Sequence, residues 1–530
     1  MNSIADALCL SAQRDPSRVA FRCQEEALTY QQLATQAAQL ANRLILSGVK
    51  PGDRVAIYMP RCLQNAIAVY GILNAGAVFV PIDPGAPAVS VAELLTDCEI
   101  SMLVTVPQMH RLVSQLNAQN IPELTVFGLP GDQSHSLIGI SWEEIMSGSD
   151  TKPNIPVSGS DLAYIIHTSG STGKPKGIMH SNASGLSYAR LSQQTYQITA
   201  HDVIGSHAPL HTDMSTLGYL TGPYVGATTV IIPESHSKMP ASMCHLLEKY
   251  QLTIWYSVPL ALVQMLETGI LSQLDTRSLR WIVYGGEPFS LKHLMNLSSQ
   301  LPSARISNAY GPAEVNQCTH FDLPAHDQNV PWQISEGTVP IGRPWPETSA
   351  LVVDASDHPV ADDQTGELLV SSSTMMMGYW NRPDLNGEVF HSVATETGKQ
   401  VYYRTGDLVR RSTDGLLRLL GRADRQVKVR GFRIELDHIE MSLSGHPNVL
   451  ETGVFAVFDQ RENTNQVIAA VLTNKPDLTP DQLKTFARTR LAEAAVPRTI
   501  VIVDSLPRTT SGKIDRRQLK SDWPAQKENL

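Results

Sequence analysis

Apolar and β-branched runs recur along most of the chain, separated by segments long enough to form helices. The runs that predict strands are 54–59, 102–106, 162–166, 228–232, 252–256 and 281–284. Segments 63–73 and 260–266 place apolar residues three and four positions apart, which is the spacing of helices that pack on a sheet. The alternation predicts an α/β fold in which helices are layered on sheets.

The hydrophobic pattern changes near residue 421, where the polar and basic segment 421–431 follows the mostly apolar stretch 416–420. Beyond this segment, runs 454–458, 467–472 and 499–503 predict strands. A helix is predicted to begin at Thr479-Pro480-Asp481-Gln482, which combines a capping box with proline at the first helical position. Its buried stripe comprises Leu483, Phe486, Ala487 and Leu491. Because 530 residues exceed one hydrophobic core, we expect a large domain of layered α/β subdomains over 1–423 and a small α+β domain over 424–530.

Composition excludes several classes of protein. The formal net charge of -9 is spread without blocks of like charge, so neither nucleic acid nor a membrane surface is an expected partner. The six cysteines include no C-x-x-C pair, which argues against a disulfide framework and against a zinc site. With neither a signal peptide nor a membrane-spanning run in the sequence, we expect a soluble, cytoplasmic protein.

The strongest chemical signal is a ten-residue segment that directly follows the predicted strand 162–166. It reads Thr168-Ser169-Gly170-Ser171-Thr172-Gly173-Lys174-Pro175-Lys176-Gly177. Its glycines let backbone N–H groups approach a ligand, while its hydroxyls and two lysines supply donors and positive charge, a combination suited to a polyphosphate. A flexible Ser/Gly linker would not follow a buried strand or carry paired lysines. The Walker spacing does not fit, because Pro175 stands where that pattern requires glycine.

This segment resembles the phosphate loop of the adenylate-forming superfamily, which includes peptide-synthetase adenylation domains, acyl- and aryl-CoA ligases and luciferases. Further motifs of that family follow in the expected order: LTYQQL at 28–33, LNAGAVFVPID at 73–83, NAYGPAE at 308–314, YRTGDL at 403–408, the segment 421–440 and SGKIDR at 511–516. The resemblance covers residues 28 to 516 and implies an enzyme that uses ATP and Mg²⁺ to convert a carboxylic acid into its acyl-AMP.

The resemblance also implies the nucleotide-binding residues. Tyr310 corresponds to the ring that stacks on adenine, Asp407 to the carboxylate that accepts both ribose hydroxyls, and Glu314 to the ligand of Mg²⁺. The remaining nucleotide contacts it implies are Thr168, Ser169, Gly170, Ser171, Thr172, Gly173, Lys174, Lys176, Gly285, Gly286, Glu287, Asn308, Ala309, Gly311 and Arg422. Lys513 is the predicted catalytic cation, because attack of a carboxylate on the α-phosphorus brings two anions together.

By the same resemblance, the acid-binding pocket consists of Asp213, Met214, Leu217, Tyr256, Ile282, Tyr284, Ala309, Gln317 and Cys318. In amino-acid-activating relatives the aspartate pairs with the α-ammonium group of the substrate, a contact that a fatty or aryl acid cannot return. Two tyrosines and a methionine make the predicted pocket small and apolar. The set is similar to that of free-standing proline-adenylating enzymes of pyrrole- and anatoxin-type pathways, so L-proline is the first expectation and valine or alanine the second. His167 departs from the family, which often carries an aromatic residue at this position.

A second half-reaction is implied, in which the small domain swings so that a thiol reaches the adenylate. Asp424 is the predicted hinge, and Lys428 with the loop to Gly431 is predicted to face the active site in that state. No carrier domain follows Lys513 in the sequence, so the expected acceptor is the phosphopantetheine thiol of a separate carrier protein. The alternatives are a CoA ligase for a small carboxylic acid and a catalytically inactive nucleotide-binding protein. Retention of Lys174, Lys176, Glu314, Asp407 and Lys513 argues against the inactive protein.

Overall fold

A computed structural model of the chain describes residues 1–116, 119, 121, 123–131, 137–168, 175–324, 339–395, 398–422, 425–475, 477–508 and 514–527. Its strands, in chain order, are β1 (Val19–Cys23), β2 (Glu26–Thr29), β3 (Arg54–Ile57), β4 (Val78–Pro81), β5 (Met102–Val104), β6 (Leu124–Phe127), β7 (Leu137–Ile140), β8 (Leu162–Thr168), β9 (Lys176–Ser181), β10 (Val203–Ser206), β11 (Thr228–Ile231), β12 (Ile254–Ser257), β13 (Trp281–Gly285), β14 (Arg305–Tyr310), β15 (Thr319–Asp322), β16 (Arg343–Pro344), β17 (Thr348–Val353), β18 (Thr365–Ser372), β19 (Gly378–Tyr379), β20 (Phe390–Thr395), β21 (Gly398–Arg411), β22 (Leu417–Arg422), β23 (Gln426–Val429), β24 (Phe432–Glu435), β25 (Val449–Asp459), β26 (Thr464–Thr473) and β27 (Thr499–Ile502).

The helices are α1 (Ile4–Arg14), α2 (Tyr30–Leu46), α3 (Leu63–Asn74), α4 (Ala88–Asp97), α5 (His110–Leu116), α6 (Trp142–Met146), α7 (Asn182–Tyr196), α8 (Gly222–Val225), α9 (Glu234–Ser237), α10 (Pro240–Lys249), α11 (Pro259–Glu267), α12 (Leu291–Gln300), α13 (Pro383–Val389), α14 (Leu436–Ser444), α15 (Pro480–Arg488) and α16 (Arg516–Lys527). No helix in these described ranges is both long and apolar enough to cross a membrane.

Three sheets build the large lobe. One has nine strands in the order β16-β15-β14-β13-β12-β10-β11-β1-β2, and a second has eight in the order β19-β9-β8-β4-β3-β5-β6-β7. In both, the central pairs are parallel, so the carboxyl ends of neighbouring strands lie at one edge of the sheet. The third sheet is antiparallel, with the order β17-β18-β21-β20 and β22 paired to β21. The α/β layering predicted from the alternating pattern is therefore confirmed.

Helix α3 shows how closely the layers pack. Eleven of its twelve residues are buried, so it contacts neighbours on every side instead of presenting one apolar stripe to a sheet. Gly71 lies where helix α2 crosses, and a Cβ atom at this position would lie 2.7 Å from Cδ2 of Leu40. Glycine is required here because a side chain would push the two helices apart.

The small lobe is an α+β unit with its own core. The hairpin β23–β24 leads into helix α14, and β25, β26 and β27 form a three-stranded sheet. Helix α15 begins after Thr479 with the predicted capping box, in which the Thr479 hydroxyl accepts from the backbone N–H of Gln482. The predicted strands of this lobe are all present. Residues 423 and 424 lie outside the described part of the chain, so the boundary between them stays a prediction.

Candidate active site

A cavity of about 980 Å³ lies between the two lobes. The large lobe contributes residues from the ends of β8, β10, β12, β13 and β14, together with segments before and within helix α4. The small lobe contributes the hairpin β23–β24 and residues near the end of helix α15. Parallel strands thus direct their carboxyl ends toward one cleft, which is where ligands bind in open α/β sheets.

Three predicted nucleotide contacts are brought together on one side of the cavity. The hydroxyl of Tyr310, the last residue of β14, donates a hydrogen bond to Asp407. The other carboxylate oxygen of Asp407 accepts from Arg422 Nη1 at 2.8 Å, because β21 and β22 pair these two residues directly across the ladder. All three line the cavity. The carboxylate is therefore held in place by a phenol and a guanidinium before any ligand is considered.

Both ends of the predicted phosphate loop reach the cavity. Thr168 ends strand β8 and Pro175 precedes strand β9, and each lines the cavity wall. The Thr168 hydroxyl is buried without a hydrogen-bond partner among the described residues. The loop residues between them, Ser169, Gly170, Ser171, Thr172, Gly173 and Lys174, lie outside the part of the chain that the structure describes. Lys176 is buried in β9, with Nζ 3.7 Å from Oε1 of Glu435.

Glu314, the predicted ligand of Mg²⁺, is held by the small lobe. Its carboxylate oxygens lie 2.5 and 2.7 Å from Nη1 of Arg433, and Tyr379 donates its hydroxyl to Oε1 at 2.6 Å. Burial alone would raise the pKa of this carboxyl, but the charge of Arg433 and the hydrogen bond from Tyr379 lower it to about 2. Glu314 is therefore an ionised oxygen donor of the kind Mg²⁺ prefers, and in this arrangement its partner is Arg433.

The Gly285-Gly286-Glu287 segment also contacts the small lobe. Glu287 Oε1 accepts from Thr464 Oγ1 at 2.7 Å and from the backbone N–H of Gly431 at 3.2 Å, and burial raises the pKa of this carboxyl. Gly286 and Gly431 lie side by side, since a Cβ at Gly286 would stand 3.9 Å from Cα of Gly431. Asn308, Ala309 and Gly311 line the cavity between this segment and Tyr310.

Asp213 opens onto the same cavity from the turn Asp213–Ser215, just before the π-helical turn Leu217–Thr221. Burial raises the pKa of its carboxyl, and the positive charge of Lys428 acts in the opposite direction. Met214 and Ala309 line the cavity beside it, whereas Leu217 and Tyr256 pack behind them in one apolar cluster. Gln317 donates its amide to the hydroxyl of Tyr196, an aromatic member of that cluster.

Ile282 and Tyr284 do not lie with these residues. Strand β13 alternates its side chains, and Ile282 and Tyr284 belong to the cluster on the opposite face of the sheet. Trp281 and Val283 take the face shared with Tyr256. Of the two predicted tyrosines, only Tyr256 therefore packs with Leu217 and Ala309. Cys318 likewise packs in the cluster that contains Tyr310, with Sγ 3.6 Å from the carbonyl oxygen of Tyr310.

The hairpin β23–β24 faces the cavity with Lys428, Gly431, Phe432 and Arg433. This is the arrangement that the sequence predicts for the thiol-accepting state. Asp424 and Lys513 lie outside the described residues. Arg508 and Ile514, which flank the segment that contains Lys513, pair with each other on the small lobe, and neither lines the cavity.

Sequence reasoning missed three residues that shape this site: Arg433, Tyr379 and His211. Arg433 lies within the family segment 421–440, but no spacing signal distinguishes it from the other arginines there. Tyr379 reaches Glu314 from a short strand 65 residues away. His211 lines the cavity, and its ring stacks at 6.4 Å on Phe432 of the small lobe. All three contacts depend on tertiary packing.

Comparison with known proteins agrees with this geometry. Residues 10–380 match the AMP-binding enzyme family, and residues 438–513 match the AMP-binding enzyme C-terminal domain. An L-proline--[L-prolyl-carrier protein] ligase of Pseudomonas fluorescens is 31% identical over 97% of this chain and 98% of its own length. Tyrocidine synthase 1 of Brevibacillus parabrevis is 32% identical over 96% of this chain, which spans 44% of that relative.

Among solved structures, the adenylation domain AlmE of Vibrio cholerae, in complex with glycyl-adenosine-5'-phosphate, superposes with a TM-score of 0.84 at 24% identity. The superposition covers 98% of each chain. A large lobe and a smaller C-terminal lobe are thus common to both folds.

Proposed function

The chain belongs to the AMP-binding enzyme family, and from that premise we propose that it activates an amino acid with ATP as the aminoacyl-AMP, then transfers the aminoacyl group to the phosphopantetheine thiol of a carrier protein. L-Proline is the first candidate substrate. The observation that carries the proposal is the shared cavity, which has the Tyr310–Asp407–Arg422 group on one wall and the Asp213 carboxylate on another. An ammonium group beside Asp213 would stabilise the ionised carboxylate that burial disfavours.

In the first half-reaction, Asp213 orients the amino acid through its ammonium group, and Asp407 holds the ribose. Glu314 is an ionised oxygen donor that fits Mg²⁺, which when bound neutralises charge on the phosphates of ATP. Because Arg433 now occupies that carboxylate, its release accompanies nucleotide binding. Lys513 is proposed to stabilise the negative charge where the substrate carboxylate attacks the α-phosphate.

For the second half-reaction, the cavity offers a route for a thiol. It continues from the adenylate site along the lobe interface to Ser90 of helix α4 and Arg490 beyond helix α15. Gly431 lines this route with φ +84°, and a Cβ atom there would lie 2.3 Å from Cγ1 of Val258. The close approach of the hairpin therefore supports a narrow passage that a thiol-bearing arm enters.

The apolar packing beside Asp213 supports a small side chain. Asp213, Met214 and Ala309 line the open cavity, while Leu217 and Tyr256 close the space behind them. One methylene changes binding by only about 1–3 kcal/mol, so valine and alanine belong in the same test panel.

Amino-acid-dependent exchange of pyrophosphate into ATP tests the first half-reaction. We expect L-proline to give the largest exchange signal. If only another amino acid supports exchange, that amino acid replaces proline as the substrate and the reaction class stays the same. Asp213→Asn is expected to lower exchange by at least about tenfold, because a neutral amide cannot pair with ammonium. The surface substitution Asp362→Asn serves as the matched control. Amino-acid activation would be refuted if small acids that lack an amino group supported exchange and Asp213→Asn did not diminish that exchange.

Discharge of the adenylate tests the second half-reaction. Holo-carrier protein, the apo form of the same carrier protein and coenzyme A are compared as acceptors. We expect thioester formation with the holo form. Efficient discharge by coenzyme A without discharge by the holo-carrier would assign the chain to CoA ligases.

A further inference from the structure

Three metal-ligating side chains meet beside the strand that enters the phosphate loop. Asp97 and Cys98 stand at the carboxyl end of helix α4, and His167 lies in strand β8, 69 residues beyond Cys98. A carboxylate oxygen of Asp97, Sγ of Cys98 and a ring nitrogen of His167 all lie within 4.8 Å of one another. The sequence argued against a zinc site because it contains no C-x-x-C pair, but these donors become neighbours only through the fold.

The spacing of the Cys98 and His167 donors matches the coordination geometry of zinc. The Sγ atom of Cys98 lies 3.5 Å from Nε2 of His167. In a tetrahedral zinc site with ordinary Zn–S and Zn–N bond lengths, the sulfur and nitrogen ligands are about 3.6 Å apart. A carboxylate oxygen as third ligand and one open position would complete the tetrahedron.

The charges and donor types of these three side chains also suit Zn²⁺. A thiolate, a neutral imidazole and a carboxylate together balance the two positive charges of Zn²⁺, so the occupied site would carry no net charge. The adjacent Arg54 already pairs with Glu99 at 3.0 Å, and its guanidinium lies 5.0 Å from the ring centroid of Trp380. Sulfur and nitrogen donors disfavour Mg²⁺, which separates this site from the metal that accompanies ATP.

Neighbouring groups hold the donors in place. Trp380 Nε1 and Asn381 Nδ2 donate to the carbonyl oxygen of Asp97 at 3.0 and 3.2 Å. Gly177 faces His167 across the β8–β9 ladder, and a Cβ atom there would lie 3.0 Å from Nε2 of His167. The Nδ1 atom of His167 is buried without a hydrogen-bond partner among the described residues, and Nε2 makes a weak contact with the Cys98 thiol. A cation would replace that weak contact with coordinate bonds.

We propose that Asp97, Cys98 and His167 form a Zn²⁺-binding site that ties helix α4 to strand β8. Thr168, the next residue after His167, lines the ATP cavity. Bound Zn²⁺ would thus fix the strand from which the phosphate loop begins. The proposal rests on these three residues and holds whichever acid the enzyme activates.

Cobalt(II) is the spectroscopic probe, used with the full-length chain after treatment with a chelator. We expect one Co²⁺ per chain, with a thiolate-to-metal charge-transfer band in the near ultraviolet that stoichiometric Zn²⁺ abolishes. Cys98→Ser should remove this band, and Asp97→Asn should weaken metal binding by at least about tenfold. Cys244→Ser is the matched control, because Cys244 is also buried but contacts the Thr268 hydroxyl and the backbone carbonyl of Met265.

Circular dichroism and the melting temperature of each metal-free variant establish that it is folded. Asp97 is exposed, so Asp97→Asn provides a test that does not disturb the core. A wild-type chain without the charge-transfer band overturns the proposal, as does a folded Cys98→Ser variant that retains it. Metal binding unchanged by Asp97→Asn would overturn the three-residue assignment.

Discussion

Replacement of Arg433 by glutamine is the most informative single perturbation of the lobe interface. Nη1 of Arg433 contacts both carboxylate oxygens of Glu314, and the Glu314 side chain has no exposed surface. Glutamine retains a polar side chain but no charge, so Glu314 would be left buried without its cation. Removing one partner of a buried ion pair costs about 3–5 kcal/mol. The substitution therefore destabilises the lobe orientation in which the hairpin β23–β24 faces the cavity.

The lowered pKa of Glu314 reflects the same charge together with the hydrogen bond from Tyr379. A value of about 2 against an ordinary 4.5 corresponds to roughly 3 kcal/mol in favour of the ionised carboxylate. Because the folded-state pKa is depressed, this contribution is fully present above pH 4.5 and is lost as the pH falls toward 2. At neutral pH the full contribution therefore acts on the wild-type chain, and Arg433→Gln removes the part that the Arg433 charge supplies.

Two measurements follow the effect of Arg433→Gln. Hydrogen exchange of the backbone amides in the hairpin β23–β24 should accelerate by at least about tenfold, since a loss of 1.4 kcal/mol changes an equilibrium constant tenfold. Thioester formation should fall by at least the same factor, while pyrophosphate exchange should be retained because Glu314 becomes free for Mg²⁺.

Arg461→Gln, an exposed arginine of the same lobe, is the control for this experiment. Hairpin exchange and thioester formation equal to those of the control would refute the inference that the Arg433–Glu314 pair holds the lobes in this orientation. Loss of pyrophosphate exchange, with transfer from supplied aminoacyl-AMP intact, would assign Arg433 to the first half-reaction.

Three further predictions address other contacts. Gly431→Ala should lower thioester formation by at least about tenfold, because its Cβ would lie 2.3 Å from Cγ1 of Val258 and the residue has φ +84°. Val258→Ala in the same chain should restore part of the rate. An unchanged rate in both variants would contradict the close approach of Gly431 to Val258. Gly311→Ala should lower the melting temperature, because its Cβ would lie 1.9 Å from a backbone oxygen. The control Gly387→Ala, whose Cβ would have no atom within 4 Å, should leave the melting temperature unchanged. Equal melting temperatures would show that the backbone at Gly311 adjusts without loss of stability. Lys513→Ala should reduce pyrophosphate exchange by about 10²- to 10³-fold with ATP affinity largely intact, and weakened ATP binding with normal exchange would contradict its catalytic role.

Local pattern was sufficient for most of the elements. Strand β8 and helix α15 were predictable because a buried apolar run and a capping box are local signals that depend on neighbouring residues. Helix α3 was predictable as a helix, but its burial on every side was not, because that depends on which layers enclose it. The order of motifs likewise indicated the AMP-binding family, and residues such as Tyr310 and Asp407 meet in the cavity as that resemblance implies.

Tertiary structure decided what pairs across the lobes and which face of a strand a residue occupies. A shift of one residue along β13 moves a side chain to the other face of the sheet. The resemblance placed Ile282 and Tyr284 in the pocket, but both pack on the face opposite to Tyr256, whereas Trp281 and Val283 share its face. The partners of Glu314 come from positions 65 and 119 residues away, and Cys98 meets His167 across 69 residues. The sequence by itself determined most of the elements and the family, because these follow from local spacing and motif order. The contacts that couple the two lobes and gather the Asp97–Cys98–His167 cluster arise from long-range packing, to which no local pattern in the chain corresponds.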